Sequence, residues 1–146
     1  MKGKHLLIGG AVFLAVFIPA LWYTQFYAFY FEMPETTEIT VADRTVQVRD
    51  FRGIDADTSP IKLRACMTLD PAALDGLPQA DNPDPLVAPG WFECFDAGAV
   101  VRALEAGTAK AYLAATGEFH GAERMIAVFD DGRAYMWRQL SPEFSK

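Results

Sequence analysis

From Leu6 to Phe31 the chain carries no charged side chain, a run of 26 positions. A helix crosses the hydrocarbon core of a bilayer with about 20 residues, so the run is long enough to span one. Its first part, Leu6–Ala20, is aliphatic and its second, Leu21–Phe31, is rich in rings. Trp and Tyr gather where hydrocarbon meets headgroups, so Trp22, Tyr23, Tyr27 and Tyr30 are expected at the membrane interface. Pro19 is tolerated in lipid, where neighbours and local adjustment satisfy the freed carbonyl. Gly9 and Gly10 would let another helix approach closely, although the strict G-x-x-x-G spacing is missing.

Orientation follows from the flanks. Lys2 and Lys4 precede the run, while Glu32, Glu35 and Glu38 follow it. The positive side stays in the cytoplasm, which predicts a cytoplasmic amino terminus and a periplasmic domain at a bacterial inner membrane. Residues 1–31 then form the start and anchor, and residues 32–146 the exported domain. A cleaved signal peptide is the rival reading. It needs a short apolar core and a small-residue site, whereas Ile18-Pro19-Ala20 matches that poorly and the run continues into large aromatics. A buried helix of a soluble protein fits less well, because the run has no polar face.

The exported part reads as one small α+β domain with an antiparallel sheet and two short helices. Glu38–Val41 is a short strand and Asp43-Arg44 a turn. Thr45–Ile54 alternates as a half-buried strand, with Val46, Val48, Phe51 and Ile54 inward and Gln47 and Arg49 outward. Ile61–Leu69 alternates again, with Lys62, Arg64 and Cys66 opposite Ile61, Leu63, Ala65 and Met67. Asp70 caps a short turn with Pro71 at its first position. The segment 76–90 holds Pro78, Pro83, Pro85 and Pro89 and is expected to be an extended loop. Asp96 caps a helix over Ala97–Ala106 that Gly107 ends, and Thr108 caps a second over Ala109–Ala115. Asp130-Asp131-Gly132 between Arg124–Phe129 and Arg133–Leu140 is a hairpin signal.

The chemistry-bearing residues are few. Cys66 and Cys94 are the only cysteines, and an oxidising compartment makes a disulfide their leading reading. The rival is copper or haem handling by the pair, with Met67 beside Cys66. His5 lies at the cytoplasmic edge of the run and His120 in a loop, too few for a histidine metal site. Asp55, Asp57, Thr58 and Ser59 resemble half of a calcium loop but lack its glycine and closing glutamate, so turn capping is preferred. None of the nucleophile-elbow, zinc-protease, phosphate-loop or C-x-x-C motifs occurs. No catalytic residue, metal or cofactor is expected. A pI near 4.8 and a net charge of −6 argue against a nucleic-acid partner, and 51% hydrophobic residues argue against disorder.

The K-rich start, the aromatic exit, the stretches Gly53–Ile61 and Arg64-Ala65-Cys66, the segment Ala88–Ala97 and the closing Asp130–Trp137 together resemble a family of small single-pass inner-membrane proteins of photosynthetic and related alphaproteobacteria. Some members are labelled histidine kinases. This chain has neither the ATP-binding glycine motifs nor the room for a kinase catalytic domain. The resemblance implies an inner-membrane protein with no established activity.

The resulting expectation is a non-catalytic accessory or assembly subunit of a larger inner-membrane complex, of respiratory or photosynthetic kind. Its partners would be lipid and an integral membrane complex. Beyond the span eleven basic residues face nineteen acidic ones, a balance that could also attract a basic soluble periplasmic protein such as a c-type cytochrome. Trp91, Phe92 and Phe95 form a docking patch if exposed. Two alternatives stand beside this: a periplasmic ligand-binding or sensor module using Arg52, Arg64 and Arg138, and a copper or haem assembly factor using Cys66 and Cys94.

Overall fold

A computed structural model describes residues 2–144. The chain divides between Tyr30 and Phe31 into two units. The first is dominated by α1, Gly3–Phe26, a helix of 24 residues with Pro19 inside it, about 36 Å long at 1.5 Å per residue. It is long and apolar enough to cross a membrane, by length and composition. No part of its apolar window is buried within the chain. The helix stops short of the end of the uncharged run. The N–H groups of Tyr27 and Ala28 both donate to the Tyr23 carbonyl, at 2.8 and 3.0 Å, and the backbone then extends into β1, Tyr30–Glu32. The rings at the end of the run therefore leave the helical path.

The second unit is built on a six-stranded sheet in the order β1-β4-β5-β8-β7-β6. Its strands are β4 (Arg49–Ala56), β5 (Arg64–Thr68), β6 (Ala109–Thr116), β7 (Ala122–Phe129) and β8 (Arg133–Leu140) beside β1. The pairings from β4 through to β6 are antiparallel. A separate hairpin joins β2 (Glu38–Val41) to β3 (Arg44–Gln47), with Val41 opposite Arg44.

The single strand expected over 45–54 is thus two strands in two sheets. Asp50 adopts a positive φ of 54°, and the pairing of β4 with β5 shifts register between Arg49 and Arg52. Such an irregularity bends a strand. Val46, Val48, Phe51 and Ile54 are nevertheless all buried, as their alternation indicates.

Side chains alternate across a sheet, so its two faces have different covers. One face carries Ala65, Met67, Tyr112, Ala114, Ile126, Val128, Ala134 and Met136. It packs with Val41 and Val46 of the small hairpin and with Leu74 of the 3-10 turn Pro71–Leu74. Burying a large apolar side chain contributes about 1.5–3 kcal/mol, and this cluster is the main core.

The other face is covered by α2 and the proline-rich loop. The helix α2, Ala97–Ala106, begins where Asp96 Oδ1 accepts from the Ala99 N–H at 3.1 Å and ends at Gly107, φ 79°. It packs on β6 and β7. The second predicted helix, Ala109–Ala115, is instead strand β6. Thr108 Oγ1 donates back to the Ala103 carbonyl at 3.3 Å and so closes α2 rather than opening a new helix. Ala109 and Ala111 are buried and Lys110 exposed, a period of two. Their small side chains leave room for α2, so packing overrides alanine's helix preference.

Strand β5 also differs from its half-exposed reading. Arg64 through Met67 are all buried, because the strand lies between β4 and β8 with both faces covered. Arg64 holds the loop down. Its guanidinium donates to the carbonyls of Leu86 at 2.9 Å, Val87 at 3.2 Å, Ile61 at 2.8 Å and Leu63 at 2.6 Å. Gln139 does the same from β8. Its Oε1 accepts from the Asp84 N–H and Trp137 Nε1, and its Nε2 donates to the Asn82 carbonyl, all within 2.9 Å. Residues 79–80 run beside β6, where Gln79 bridges Tyr112 and the Ala80 N–H donates to the Ala111 carbonyl at 2.8 Å.

The β7–β8 hairpin forms at the predicted turn. Gly132 has φ 93°, and a Cβ there would meet the Leu69 carbonyl oxygen at 2.7 Å. Both facts require glycine.

Candidate functional site

Counting outward from the Asp131-Gly132 turn, Val128 faces Ala134, Ile126 faces Met136 and Arg124 faces Arg138. The core face of this hairpin is therefore apolar near the turn and ends in two arginines side by side. Like charges directly opposite on neighbouring strands repel, and both side chains are largely withdrawn from water, at 11% and 7% exposure. Each has its own acid. Arg124 Nε donates to Glu118 Oε1 at 2.9 Å, and its other nitrogens reach the Thr40 carbonyl and Met136 Sδ, each at 3.1 Å. Arg138 Nη1 donates to the Pro60 carbonyl at 3.2 Å and lies 3.4 Å from Asp55 Oδ2. The Arg138 guanidinium also sits over the Phe119 ring, 4.5 Å from its centre, a favourable cation–π placement.

One donor is left over. Arg138 Nε is buried and has no hydrogen-bond partner; its nearest acid oxygen is Glu118 Oε1, 4.0 Å away. A buried unsatisfied donor costs about 1–3 kcal/mol, so this nitrogen marks a place where the chain's own pairing is incomplete. The two arginines and Glu118 line an open groove of about 690 Å³. Phe51, Leu63 and Met136, all buried, line it as well, together with residues that include Ile39 and Thr40 of β2, Thr36, Glu35 and Glu38. Pockets of about 300–1,000 Å³ with an apolar lining and a few polar groups are the usual form of small-molecule sites.

The residues singled out from sequence are distributed elsewhere. Cys66 and Cys94 are joined in a disulfide across 28 positions, Cα to Cα 6.3 Å. While bridged, neither sulfur offers a thiolate to a metal. Among the described residues no group of three or more His, Cys, Asp or Glu could hold a metal ion. Trp22, Tyr23 and Tyr27 cluster near the end of α1, with Tyr27 ring centres 5.0 Å from Trp22 and 6.1 Å from Tyr23; Tyr30 opens β1. Gly9 and Gly10 have open space where a side chain would stand. Of the three docking candidates, Phe92 and Phe95 are buried, at 4% and 5% exposure, and Trp91 is half-buried. The three therefore do not form an exposed patch. His120 packs edge-on against Phe144 at 5.4 Å. Asp55 lies near the end of β4 rather than in a turn, and its carboxylate accepts from the Ala56 N–H and faces Arg138.

Arg52, Arg64 and Arg138 do not converge on one pocket. Arg64 is committed to loop carbonyls, Arg52 lines a hollow beside Trp91 and Phe92, and only Arg138 reaches the groove. Arg124 and Glu118 were not recognised from sequence. The signal was present, because the hairpin turn fixes the register that sets Arg124 against Arg138.

Fold and groove together define an α+β domain behind an apolar helix, with one face sealed and the other open beside paired cations. The chain belongs to the family of unknown function DUF6446, whose profile matches residues 34–145. The match covers the sheet domain and begins after α1. No curated protein and no solved structure was found similar to the chain.

Proposed function

We propose that this chain is a single-helix protein of a bacterial, and specifically alphaproteobacterial, inner membrane. Lys2 and Lys4 lie on the cytoplasmic side and the disulfide-bearing domain in the periplasm. There it serves as a non-catalytic accessory or assembly subunit of a larger membrane complex. The observation that carries this reading is α1, a 24-residue helix without a polar face and without cover from its own chain. Such a surface is stable only against lipid or other helices. The Cys66–Cys94 bridge supports an oxidising compartment, and the open surroundings of Gly9 and Gly10 suit close packing on a host helix.

Two measurements test this. Protease added to intact spheroplasts is expected to degrade the domain, and mild detergent extraction is expected to bring the chain through a native gel with a larger complex. Protection of the domain, a mature chain lacking α1, or migration alone would each overturn the corresponding part.

A second reading is favoured by the groove: the domain binds a small ligand and reports or delivers it to that complex. The incompletely bonded Arg138 Nε is its support.

A further inference from the structure

The arginine pair defines what the groove can take. Glu118 supplies one oxygen to Arg124 Nε at 2.9 Å but stops 4.0 Å from Arg138 Nε. It is tethered to the segment joining β6 to β7, and from there it satisfies one guanidinium only. A free carboxylate has two oxygens and no tether, so it can accept from both Nε donors at once, the charge-assisted geometry that arginine favours.

Charge sets the ligand's valence. Asp55 already faces Arg138 from the Nη1 side, and Glu118 balances Arg124. A monoanion that displaces Glu118 restores this balance. A dianion would place an extra charge beside Asp55, with Glu35 and Glu38 also on the lining. Beside these charges and the hydroxyls of Thr36 and Thr40, the groove offers an apolar wall that includes Phe51, Leu63, Met136 and Ile39, all of the core or packed against it. The Glu118 side chain is 41% exposed, so it can turn to water when another anion takes its place, at the small cost of a half-exposed ion pair.

We propose that the groove between β2 and the Arg124–Arg138 pair binds an amphiphilic monocarboxylate, and that Glu118 holds the carboxylate's place while the groove is empty. The site rests on the ligand-binding reading above and is independent of the membrane-subunit reading, which the spheroplast and native-gel measurements decide.

The test is calorimetric titration of octanoate into the full chain in phosphatidylcholine nanodiscs, with empty nanodiscs as the blank. Saturable one-to-one binding is expected, with octyl phosphate weaker and octanol silent. The diagnostic variant is Glu118→Gln, which keeps the shape and removes the competing charge. It is expected to bind octanoate about five- to tenfold more tightly, as when a self-occupied fraction of sites is released. Arg124→Met is expected to abolish binding. No saturable binding in either the natural chain or Glu118→Gln, or weaker binding in Glu118→Gln, overturns the proposal. Octyl phosphate binding more tightly than octanoate overturns the monocarboxylate class and leaves the ligand-binding reading standing.

Discussion

The two faces of the six-stranded sheet are finished differently. On the face beneath α2 and the proline-rich loop, polar groups are matched with care. Arg64 donates to four carbonyls, those of Leu86 and Val87 in the loop and of Ile61 and Leu63 just before β5, Gln139 pairs with Asn82, Asp84 and Trp137, and a disulfide crosses from β5 to the loop's far end. On the opposite face the small hairpin covers an apolar core, yet the core's end is left open, with two arginines abreast and one buried donor unmatched. Buried polar groups in folded proteins are nearly always satisfied. The contrast teaches that this domain satisfies its polar groups throughout one face and leaves unspent hydrogen-bonding capacity at the end of the other, beyond the main core.

Substitutions can break or sharpen that contrast. The largest effect is expected from Cys66→Ala with Cys94→Ala. Opening a loop of this length should lower stability by about 3–4 kcal/mol in the chain-entropy model, read by chemical denaturation of the full chain in detergent. Next comes Gln139→Leu, which strands the Trp137 N–H, the Asp84 N–H and the Asn82 carbonyl together. A loss of about 2–3 kcal/mol is expected, with faster hydrogen exchange confined to residues 80–90. On the open face, Glu118→Gln should change stability by no more than about 1 kcal/mol, because a half-exposed ion pair contributes little. A loss as large as that of Gln139→Leu would mean that the open end beside the arginines is as structural as the loop-covered face, and the contrast would fail.

The smallest effect concerns the turn. The Asp131 carboxyl is held below its ordinary value, first by the Arg133 backbone N–H and then by the Arg133 side chain, with slight burial opposing them. A depressed folded value means that the contribution is complete above the ordinary carboxylate range and disappears as pH falls through the lowered one. Carboxyl-detected NMR should place the Asp131 midpoint below that of an unpaired aspartate, and Arg133→Ala should raise it.

Much of this architecture is legible in the chain where local chemistry is decisive. Asp96 and Gly107 delimit α2 because a cap and a left-handed stop need those residue types. Asp131-Gly132 fixes the last hairpin for a similar reason. The alternation around Val46 and Phe51 names buried residues correctly, while the break between them depends on a strained Asp50 that no pattern announces. Residues Ala109–Thr116 are misleading because alanine suits a helix and, in this setting, a crowded strand beneath another helix. Part of the candidate site was readable as well. Arg138 stands out as a charge on an inward strand, but Glu118 enters the site from a loop, and loop reach is not encoded in any period. The burial of Phe92 and Phe95 likewise depends on how the chain returns from the proline-rich segment.

The sheet's outer border bears on how such a domain avoids adding strands from its neighbours. The open side of β6 is an exposed row of backbone donors and acceptors in most sheets, a template on which another molecule can add its own strand. Here Ala80 and Ala42 donate to the carbonyls of Ala111 and Ala114 along that row. Copies crowded together thus meet a border already occupied at these two positions, and fibre-like growth from it is discouraged by the fold itself.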